Sequence, residues 1–315
     1  MSTNPSPVVV TTPMRLDAFL VSDMGVATRS QSQKFIKAEF VKVGKKTISK
    51  PAHMLKTGDS VTLSPEATEA KIPTEHSPTL DLQILYEDDD CMIINKPAGL
   101  MVHAGSGMEE GEVTLMDELK PLFAARKLPF IESSVLVHRL DKETTGCILV
   151  AKHPQAHRVL QKMFEKRTVA KTYLVLVMGT PTPSSAIIDS PIGRHSTDRT
   201  KMSVLRSGRT REARTIYHVL SSTNEASLLA CDLETGRTHQ IRVHVSSIGH
   251  PILGDEKYYT LGSLNIAKKM GIDFLCLHAW KLSFTSPISK KKIAAVAAIP
   301  EKFQKQIELN RLTVS

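Results

Sequence analysis

Two segments of the chain concentrate polar side chains that could do chemistry. In the first, Asp141 follows His138 and Arg139 in a polar loop between two apolar stretches, and Thr144 comes three residues later. Loops held by a rigid sheet often carry catalytic groups, and an ionised carboxylate can act as a nucleophile or as a base. An isolated aspartate is more often a turn residue that bonds its own backbone, so Asp141 needs support from other residues.

The second segment reads LETGRTHQIRVHV over residues 233–245. The spacing i, i+3, i+4, i+7 is followed by Ile241, His244, Val245 and, just beyond the segment, Ile248, which favours a helix over a strand. Thr238 can cap the start of this helix, and Gly249 can end it. The helix would place Thr238, His239 and Arg242 on one face, where they could contact a substrate.

The histidines and cysteines do not form a metal-binding pattern. His239 and His244 are five residues apart and so lie on different faces of a helix, and no third ligand is evident near them. The four cysteines are scattered without a CxxC pair: Cys91, Cys147, Cys231 and Cys276. We therefore predict no metal site, and a reduced protein of the cytoplasm.

The overall charge points to polyanionic partners. The chain of 315 residues has 41 Lys and Arg against 32 Asp and Glu, a net charge of +9. RNA, DNA and anionic membrane surfaces would all fit this balance. No stretch approaches the roughly 20 apolar residues of a membrane span, and the start of the chain lacks a signal-peptide pattern. We expect no membrane contact and a monomer.

A small basic unit is predicted near the start of the chain. Residues 1–13 are rich in Pro, Ser and Thr and predict a disordered tail, and residues 14–64 predict two helices followed by small strands. From Arg15 to Leu63 there are nine basic and four acidic residues. The order of elements resembles the αL RNA-binding domain, which implies structured RNA as the ligand. The candidate RNA-binding residues are Arg29, Lys34, Lys37 and Lys45.

The remainder predicts a larger domain of class α+β. Residues 65–79, rich in Pro, Glu and Thr, predict a linker, and residues 80–315 follow as one domain. Its apolar runs predict a hairpin, several further strands that include a central one at 173–178, and helices at 113–126 and 154–166. We expect a mixed, mainly antiparallel sheet flanked by helices and loops.

Six motifs in this domain together resemble the RluA family of RNA pseudouridine synthases. They are NKP at 95–97, HRLD at 138–141, KTY at 171–173, GRTHQIRVH at 236–244, GHPI with GD at 249–255, and LCLHA at 275–279. The resemblance covers residues 80 to 300 and implies a pseudouridine synthase catalytic domain that isomerises uridine in RNA without a cofactor.

Carried over residue by residue, the resemblance also implies roles. Asp141 would be the essential aspartate, Arg242 its cationic partner, and Tyr173 the ring that stacks on the target uracil. The candidate substrate-binding residues are Arg139, which could fill the gap left by a flipped base, His239, Thr144, and Leu277 as an apolar wall. The chain departs from the family pattern at 142–145, where it reads KETT, and at 285–287, where it reads TSP.

Several alternatives stay open from the sequence. The aspartate could attack C1′ of the ribose or remove the C2′ proton. The target could be large-subunit ribosomal RNA or transfer RNA, and a non-catalytic ribosome-assembly protein is the rival from another class. A glycosidase with paired carboxylates would need a second acid, for which Glu234 is the nearby candidate.

Overall fold

The computed structural model describes residues 7–26, 29–64, 80–103, 112–205, 208–286 and 288–314, without the side chains of 29–31. The chain divides into two compact units, residues 1–75 and 76–315. The linker predicted over residues 65–79 lies outside the described residues.

The first unit packs two helices on short strands. The helices are α1 (Leu16–Ser22) and α2 (Arg29–Lys37). The strands are β1 (Val8–Val9), β2 (Met14–Arg15), β3 (Val41–Val43), β4 (Lys46–Thr47), β5 (Met54–Leu55) and β6 (Ser60–Leu63). One sheet has the order β1-β6-β3-β4, and β2 pairs with β5. Leu16, Phe19, Leu20 and Ile36 from the helices are buried with Val61 from β6, so the unit has its own core.

The prediction of a disordered tail over residues 1–13 is wrong for its second half. Val8 pairs with Val61 and Val9 with Ser60, which makes β1 an antiparallel edge strand of the first unit. Val10 is buried in the core next to this strand. The prediction relied on the proline-rich composition and overlooked a short apolar run of valines, which adds an edge strand to the sheet. Residues 1–6 lie outside the described part of the chain.

The second unit is built on a nine-stranded sheet. Its strands run β11-β15-β16-β10-β17-β9-β8-β7, and β18 pairs with β17. Only the β9–β17 pair is parallel. The strands are β7 (Ile84–Glu87), β8 (Cys91–Lys96), β9 (Thr145–Ala151), β10 (Ala170–Met178), β11 (Ser185–Asp189), β15 (Arg214–Ser222), β16 (Ala226–Leu233), β17 (Leu277–Thr285) and β18 (Lys292–Val296). The predicted α+β class with a mixed, mainly antiparallel sheet is confirmed.

A smaller sheet and five helices complete the described part of this unit. The sheet has the order β13-β12-β14, with β12 (Ile192–Arg194), β13 (Met202–Val204) and β14 (Thr210–Arg211). The helices are α3 (Leu115–Ala125), α4 (Pro154–Glu165), α5 (Gln240–Ser247), α6 (Leu261–Met270) and α7 (Glu301–Leu309). A single 3₁₀ turn spans Glu132–Ser134. In the described part of the chain, no helix is long and apolar enough to cross a membrane.

The central strands are apolar on both faces because helices cover both faces of the sheet. In β8, Met92 and Ile94 belong to one buried cluster, and Cys91 and Ile93 belong to another on the opposite face. Leucines of α3 cover the first cluster and residues of α4 cover the second. All four cysteines are buried and unpaired, as expected of small apolar residues. This rigid double-sided packing fixes the loops at the strand ends.

Candidate active site

Asp141 projects its side chain out of a tight loop rather than back onto it. The loop closes through its backbone, because the Thr144 amide donates to the Asp141 carbonyl oxygen at 3.1 Å. The Asp141 carboxylate makes no such turn contact: Oδ2 accepts a hydrogen bond from Nη1 of Arg242 at 3.2 Å. Oδ1 has no hydrogen-bond partner among the described residues, and the side chain is 16% exposed. The carboxylate therefore has one oxygen oriented by a cation and one available to a ligand.

Two features hold the Asp141 loop in place. His138, three residues earlier, accepts the Leu149 amide hydrogen on Nε2 at 2.8 Å, and its ring stacks on Phe164 at 4.6 Å. Burial lowers the pKa of His138 to about 3, so this imidazole is a neutral anchor. On the other side, Gly146 has a φ of +106°, and a Cβ there would lie 2.2 Å from the Ala279 oxygen of β17. Only glycine lets the loop join β9 at this close approach.

Arg242 lies on α5 between two carboxylates. Its Nη1 contacts Asp141, and the opposite edge of the guanidinium forms a two-point ion pair with Asp255, Nε to Oδ2 at 2.7 Å and Nη2 to Oδ1 at 2.9 Å. The residue is only 7% exposed. Burial alone would lower the pKa of Arg242, but the hydrogen bonds and charge of Asp255, with the charge of Asp141, raise it. Arg242 is therefore a fixed cation that presents one N–H to Asp141.

Asp255 is a fully buried carboxylate with every oxygen in use. Besides Arg242, its Oδ1 accepts the backbone amides of Lys257 at 2.8 Å and Tyr258 at 3.0 Å. Burial raises the pKa of Asp255, but the Arg242 hydrogen bond and charge outweigh this and lower it. The preceding Gly254 has a φ of +77°, and a Cβ there would collide with the Phe274 carbonyl. Asp255 thus orients Arg242 and has no oxygen left for a substrate.

His239 and Tyr258 form the wall beside the carboxylate. Nδ1 of His239 lies 2.8 Å from the Tyr258 hydroxyl, and its Nε2 lies 3.9 Å from Oδ2 of Asp141. The Tyr258 oxygen already accepts the Met202 amide hydrogen at 2.7 Å, which lets its own proton go to Nδ1. Burial lowers the pKa of His239, against the charge of Asp141. The neutral ring then carries its proton on Nε2, facing the carboxylate.

The start of α5 differs from the prediction in one respect. The N-cap residue is His239, with a left-handed φ of +55° and no side-chain capping bond, so the predicted cap at Thr238 is wrong. Gln240, the first residue of the helix, instead holds the preceding turn, because its Oε1 accepts the Arg237 amide and the Thr235 hydroxyl. The sharp bend turns His239 toward Asp141. His244 lies deeper in the unit, hydrogen-bonded to Thr215 and to the Ser190 carbonyl.

Tyr173 and Leu277 come from adjacent strands of the central sheet. Tyr173 lies on β10 at an irregularity of its pairing with β17, between Thr172 and Leu174. Such a bulge redirects a side chain. Burial, and next the negative charge of Asp141, raise the pKa of the Tyr173 hydroxyl, so it stays protonated. Leu277 begins β17 and is buried in the same cluster as Tyr173.

Comparison with known proteins identifies the family of the chain. A family model described as RNA pseudouridylate synthase matches residues 90–247, about half of the chain. The chain belongs to this family. A second model, the S4 domain, matches residues 14–61. The RluA-type synthase and the αL RNA-binding domain predicted from the motifs are both confirmed, and the chain is an RNA pseudouridine synthase.

Named relatives span nearly the whole synthase. An uncharacterised RNA pseudouridine synthase of Synechocystis is 37% identical over 93% of this chain and 88% of its own length. A ribosomal large subunit pseudouridine synthase D of Nitrosomonas europaea is 38% identical over 91% of this chain and 82% of its own. Among solved structures, human RNA pseudouridylate synthase domain containing 4 superposes with a TM-score of 0.59 at 31% identity, over 73% of this chain and 94% of that one.

A buried lysine connects the NKP motif of the synthase to the Asp141 loop. Lys96, at the end of β8, is fully buried, and its Nζ donates to the carbonyl oxygens of Pro97 at 2.7 Å, Leu100 at 2.8 Å and Lys142 at 2.9 Å. Burial lowers the pKa of Lys96 to about 8, although Glu143 and Asp141 oppose the shift. The ammonium group ties two loops together immediately behind Asp141.

The other predicted site residues have mixed surroundings. Arg139 is exposed beside the Asp141 loop, which leaves it accessible to RNA. Thr144 is 2% exposed, and its hydroxyl has no hydrogen-bond partner in the described part of the chain. In the first unit Lys34, Lys37 and Lys45 are exposed, whereas the side chain of Arg29 lies outside the described residues. Their roles remain predictions.

Sequence reasoning left three members of the site without a role: Lys96, Asp255 and Tyr258. The first two stood in quoted motifs, NKP and GD, but nothing in their spacing showed which atoms they would reach. The suggestion of Glu234 as a second carboxylate is not supported, because Glu234 pairs with Arg214 at 3.0 Å. The second acid near Asp141 is Asp255, and both of its oxygens are occupied.

Proposed function

We propose that this synthase isomerises specific uridines of large-subunit ribosomal RNA and that Asp141 is its catalytic carboxylate. The observation that carries the second part is the Asp141–Arg242–Asp255 arrangement. Asp255 immobilises Arg242, Arg242 orients Oδ2 of Asp141, and Oδ1 remains available to the ribose. We also propose that the protein is a cytoplasmic monomer. It needs no cofactor, because the reaction rearranges one substrate without net oxidation.

Both routes to pseudouridine can begin at Oδ1. In one, Oδ1 attacks C1′, the C1′–N1 bond breaks with its electrons going to uracil N1, and C5 of the rotated base later displaces the carboxylate. In the other, Oδ1 removes the C2′ proton while the same bond breaks, and it returns the proton after C5 has bonded to C1′. Either route ends with loss of the C5 proton and protonation of N1, so that the product is an isomer of uridine.

The detached uracil needs a surface on which it can rotate. Tyr173 supplies an aromatic ring and Leu277 an aliphatic side chain, and neither imposes a fixed set of hydrogen bonds on the base. The target base must first leave its stack, at a cost of a few kcal/mol that contacts with the RNA backbone offset. We propose that Arg139, whose side chain is exposed, occupies the vacated position or binds a phosphate.

The proposed RNA class rests on the relatives and on the first unit. Relatives named ribosomal large subunit pseudouridine synthase C or D match more than nine-tenths of this chain, and the S4 model matches its residues 14–61. The S4 domain supplies a basic surface with exposed Lys34, Lys37 and Lys45. Phosphate oxygens bind such ammonium groups.

The test is to map pseudouridines in ribosomal and transfer RNA from cells with and without the gene. We expect specific sites in large-subunit ribosomal RNA to disappear and to return on complementation with the wild-type chain but not with Asp141→Asn. Purified Asp141→Asn should still bind RNA. Loss of pseudouridine from transfer RNA alone would overturn the proposed target, and isomerisation by the purified variant would overturn the role of Asp141.

A further inference from the structure

The small sheet formed by β12, β13 and β14 is strongly basic. Between residues 192 and 211 the sequence has five Arg and one Lys against a single Asp. This segment accounts for a net charge of +5 within a chain of +9. Neither the chemistry at Asp141 nor the S4 domain uses these residues. A concentration of cations on one small element is the electrostatic footprint of a polyanion site.

This sheet is fastened to the catalytic helix. Ile192 of β12 and Ala213 are buried against Val243, the neighbour of Arg242 on α5. Met202 of β13 donates its amide hydrogen to the hydroxyl of Tyr258, whose ring lies 5.2 Å from the Arg242 guanidinium. The basic sheet therefore has a fixed position relative to Asp141.

A groove opens between the small sheet, α5 and the turn after Asp255. Its volume is about 310 Å³, at the lower end of the range for small-ligand sites and sufficient for part of a nucleotide. The lining combines apolar Met202 and Val243 with His195, Ser246 and two lysines, Lys201 and Lys257. Tyr258 also lines it and separates it from His239 and Asp141. We call it the Lys201 groove.

The two lysines of the Lys201 groove are weakly engaged. The nearest carboxylate oxygen to Lys201 Nζ is that of Asp198 at 3.9 Å, the limit of an ion pair. Lys257 is exposed and makes no ion pair with any described residue. By contrast, Lys269 holds Glu225 at 2.7 Å. Two ammonium groups with little internal neutralisation at a concave site can accept a phosphate without breaking an existing bond.

We propose that the Lys201 groove binds the RNA backbone next to the target uridine, with Lys201 and Lys257 on a phosphate. The inference rests on the RNA substrate of the proposed function and adds a contact outside the S4 domain. A strand whose target base is flipped to Asp141 continues past Tyr258, and the groove is the concave basic surface directly behind that side chain. Met202 and Val243 suit the apolar face of a ribose or base.

The contact should act mainly on substrate binding. Phosphate contacts fix the register of the RNA, and they are equally strong before and during the reaction at the uridine. Interactions of that kind change KM and the salt dependence of binding, with little effect on kcat. A substitution of Asp141 should have the opposite effect: kcat should fall strongly, and substrate binding should change little.

The experiment compares the full chain with Lys201→Ala, Lys257→Ala and the double variant on unmodified, in vitro transcribed large-subunit ribosomal RNA of the encoding organism. For the double variant we expect KM to rise about tenfold with kcat within about twofold, and the slope of log Kd against log salt to flatten by about 1 per lysine. Lys201→Arg with Lys257→Arg should restore binding. Lys305→Ala, an exposed lysine on α7, is the matched control.

The outcomes separate the two proposals. Wild-type KM and salt slope in the double variant, with the fold shown intact by its thermal unfolding, would overturn the groove as an RNA site. A wild-type chain that binds but does not isomerise this transcript would overturn the proposed RNA class, while the salt slopes from the same binding titrations would still decide the groove.

Discussion

At the scale of single residues, the site assigns different tasks to two similar carboxylates. Asp141 is partly exposed and has one oxygen without a partner among the described residues, whereas Asp255 is fully buried and bonded through both oxygens. Both contact the same guanidinium. Chemical reactivity therefore follows from solvent access and free lone pairs, and not from residue type.

Parallel substitutions should separate these tasks. Asp255→Asn removes the principal counter-charge of buried Arg242, so we expect a loss of about 3 to 5 kcal/mol in the free energy of unfolding. We also expect a fall of about a hundredfold in kcat, because Arg242 would no longer hold Asp141 in position. Asp141→Asn should abolish turnover but cost under about 1 kcal/mol, since Asp255 still pairs Arg242. Urea unfolding and single-turnover kinetics measure both.

The two substitutions serve as controls for each other. If Asp255→Asn left stability and kcat unchanged, Arg242 would not depend on Asp255. If Asp141→Asn destabilised the chain as strongly as Asp255→Asn, Asp141 would be structural.

At the scale of elements, the site is assembled where strand ends and loops meet on one sheet. β8 ends at Lys96, β9 starts just after Asp141, β10 carries Tyr173 and β17 begins at Leu277. Because β10, β17, β9 and β8 are neighbours, residues far apart in sequence lie side by side. Lys96 connects two of the loops through three carbonyl oxygens.

Lys96→Met should damage activity by releasing the Asp141 loop. It leaves three buried carbonyl oxygens without their charged donor, for which we expect a loss of about 3 kcal/mol in stability and at least about tenfold in kcat. Lys171→Met is the matched control, because Lys171 is also buried, with a pKa lowered to about 8 by burial, but contacts the Phe164 ring instead of carbonyls. Its kcat should fall less than that of Lys96→Met, because Phe164 still stacks on His138 and the carbonyl oxygens of the two loops keep their donor.

The pH profile offers a second measurement on the same pair. The folded-state pKa of Lys96 lies below its usual 10.5, at about 8. The folded chain therefore loses this proton first. By linkage the free energy of unfolding rises with pH between about 8 and 10.5, while the positive charge that the three carbonyl oxygens accept from is lost above about pH 8. We expect turnover to fall above pH 8 in the wild type and in Lys171→Met, but Lys96→Met should lack this limb. If the limb disappeared in Lys171→Met instead, it would report the titration of Lys171, and the assignment to Lys96 would be wrong.

At the scale of the whole molecule, two units with separate cores divide the work. One hydrophobic cluster lies among the helices and strands of residues 1–75. Separate hydrophobic clusters lie on the nine-stranded sheet of residues 76–315. Every residue of the proposed active site lies in the second unit. The first unit, an S4 domain, carries exposed lysines and none of the proposed active-site residues.

Deleting residues 1–70 should therefore leave the catalytic unit folded but weaken its binding to large structured RNA. We expect a higher Kd and a flatter dependence of log Kd on log salt, because phosphate contacts are lost. Turnover on a short RNA that contains the target uridine should change little. Replacing Lys34, Lys37 and Lys45 by Ala in the full chain should reproduce part of the effect. Unchanged affinity for ribosomal RNA in both would refute an RNA-binding role of the first unit.

The sequence by itself determined the fold class and the family, and it predicted the central members of the proposed site. Continuous apolar runs such as 173–178 predict strands buried on both faces, and β10 is such a strand. The motifs named Asp141, Arg242 and Tyr173 because their residue types and order match a family. The composition gave a wrong prediction at the start of the chain, because Val8 and Val9 form a strand although their surroundings are rich in proline.

Only the tertiary structure decided which atoms meet. Asp255 is thirteen residues from Arg242, and Lys96 is forty-six residues from the carbonyl it holds. Helical or strand periodicity reaches only a few residues, so it cannot report such pairings. Three further features likewise depend on how α5 packs against a separate small sheet. They are the bend at His239, the hydrogen bond from Met202 to Tyr258, and the Lys201 groove. Burial and charge at these contacts turn one aspartate in a loop into an oriented carboxylate.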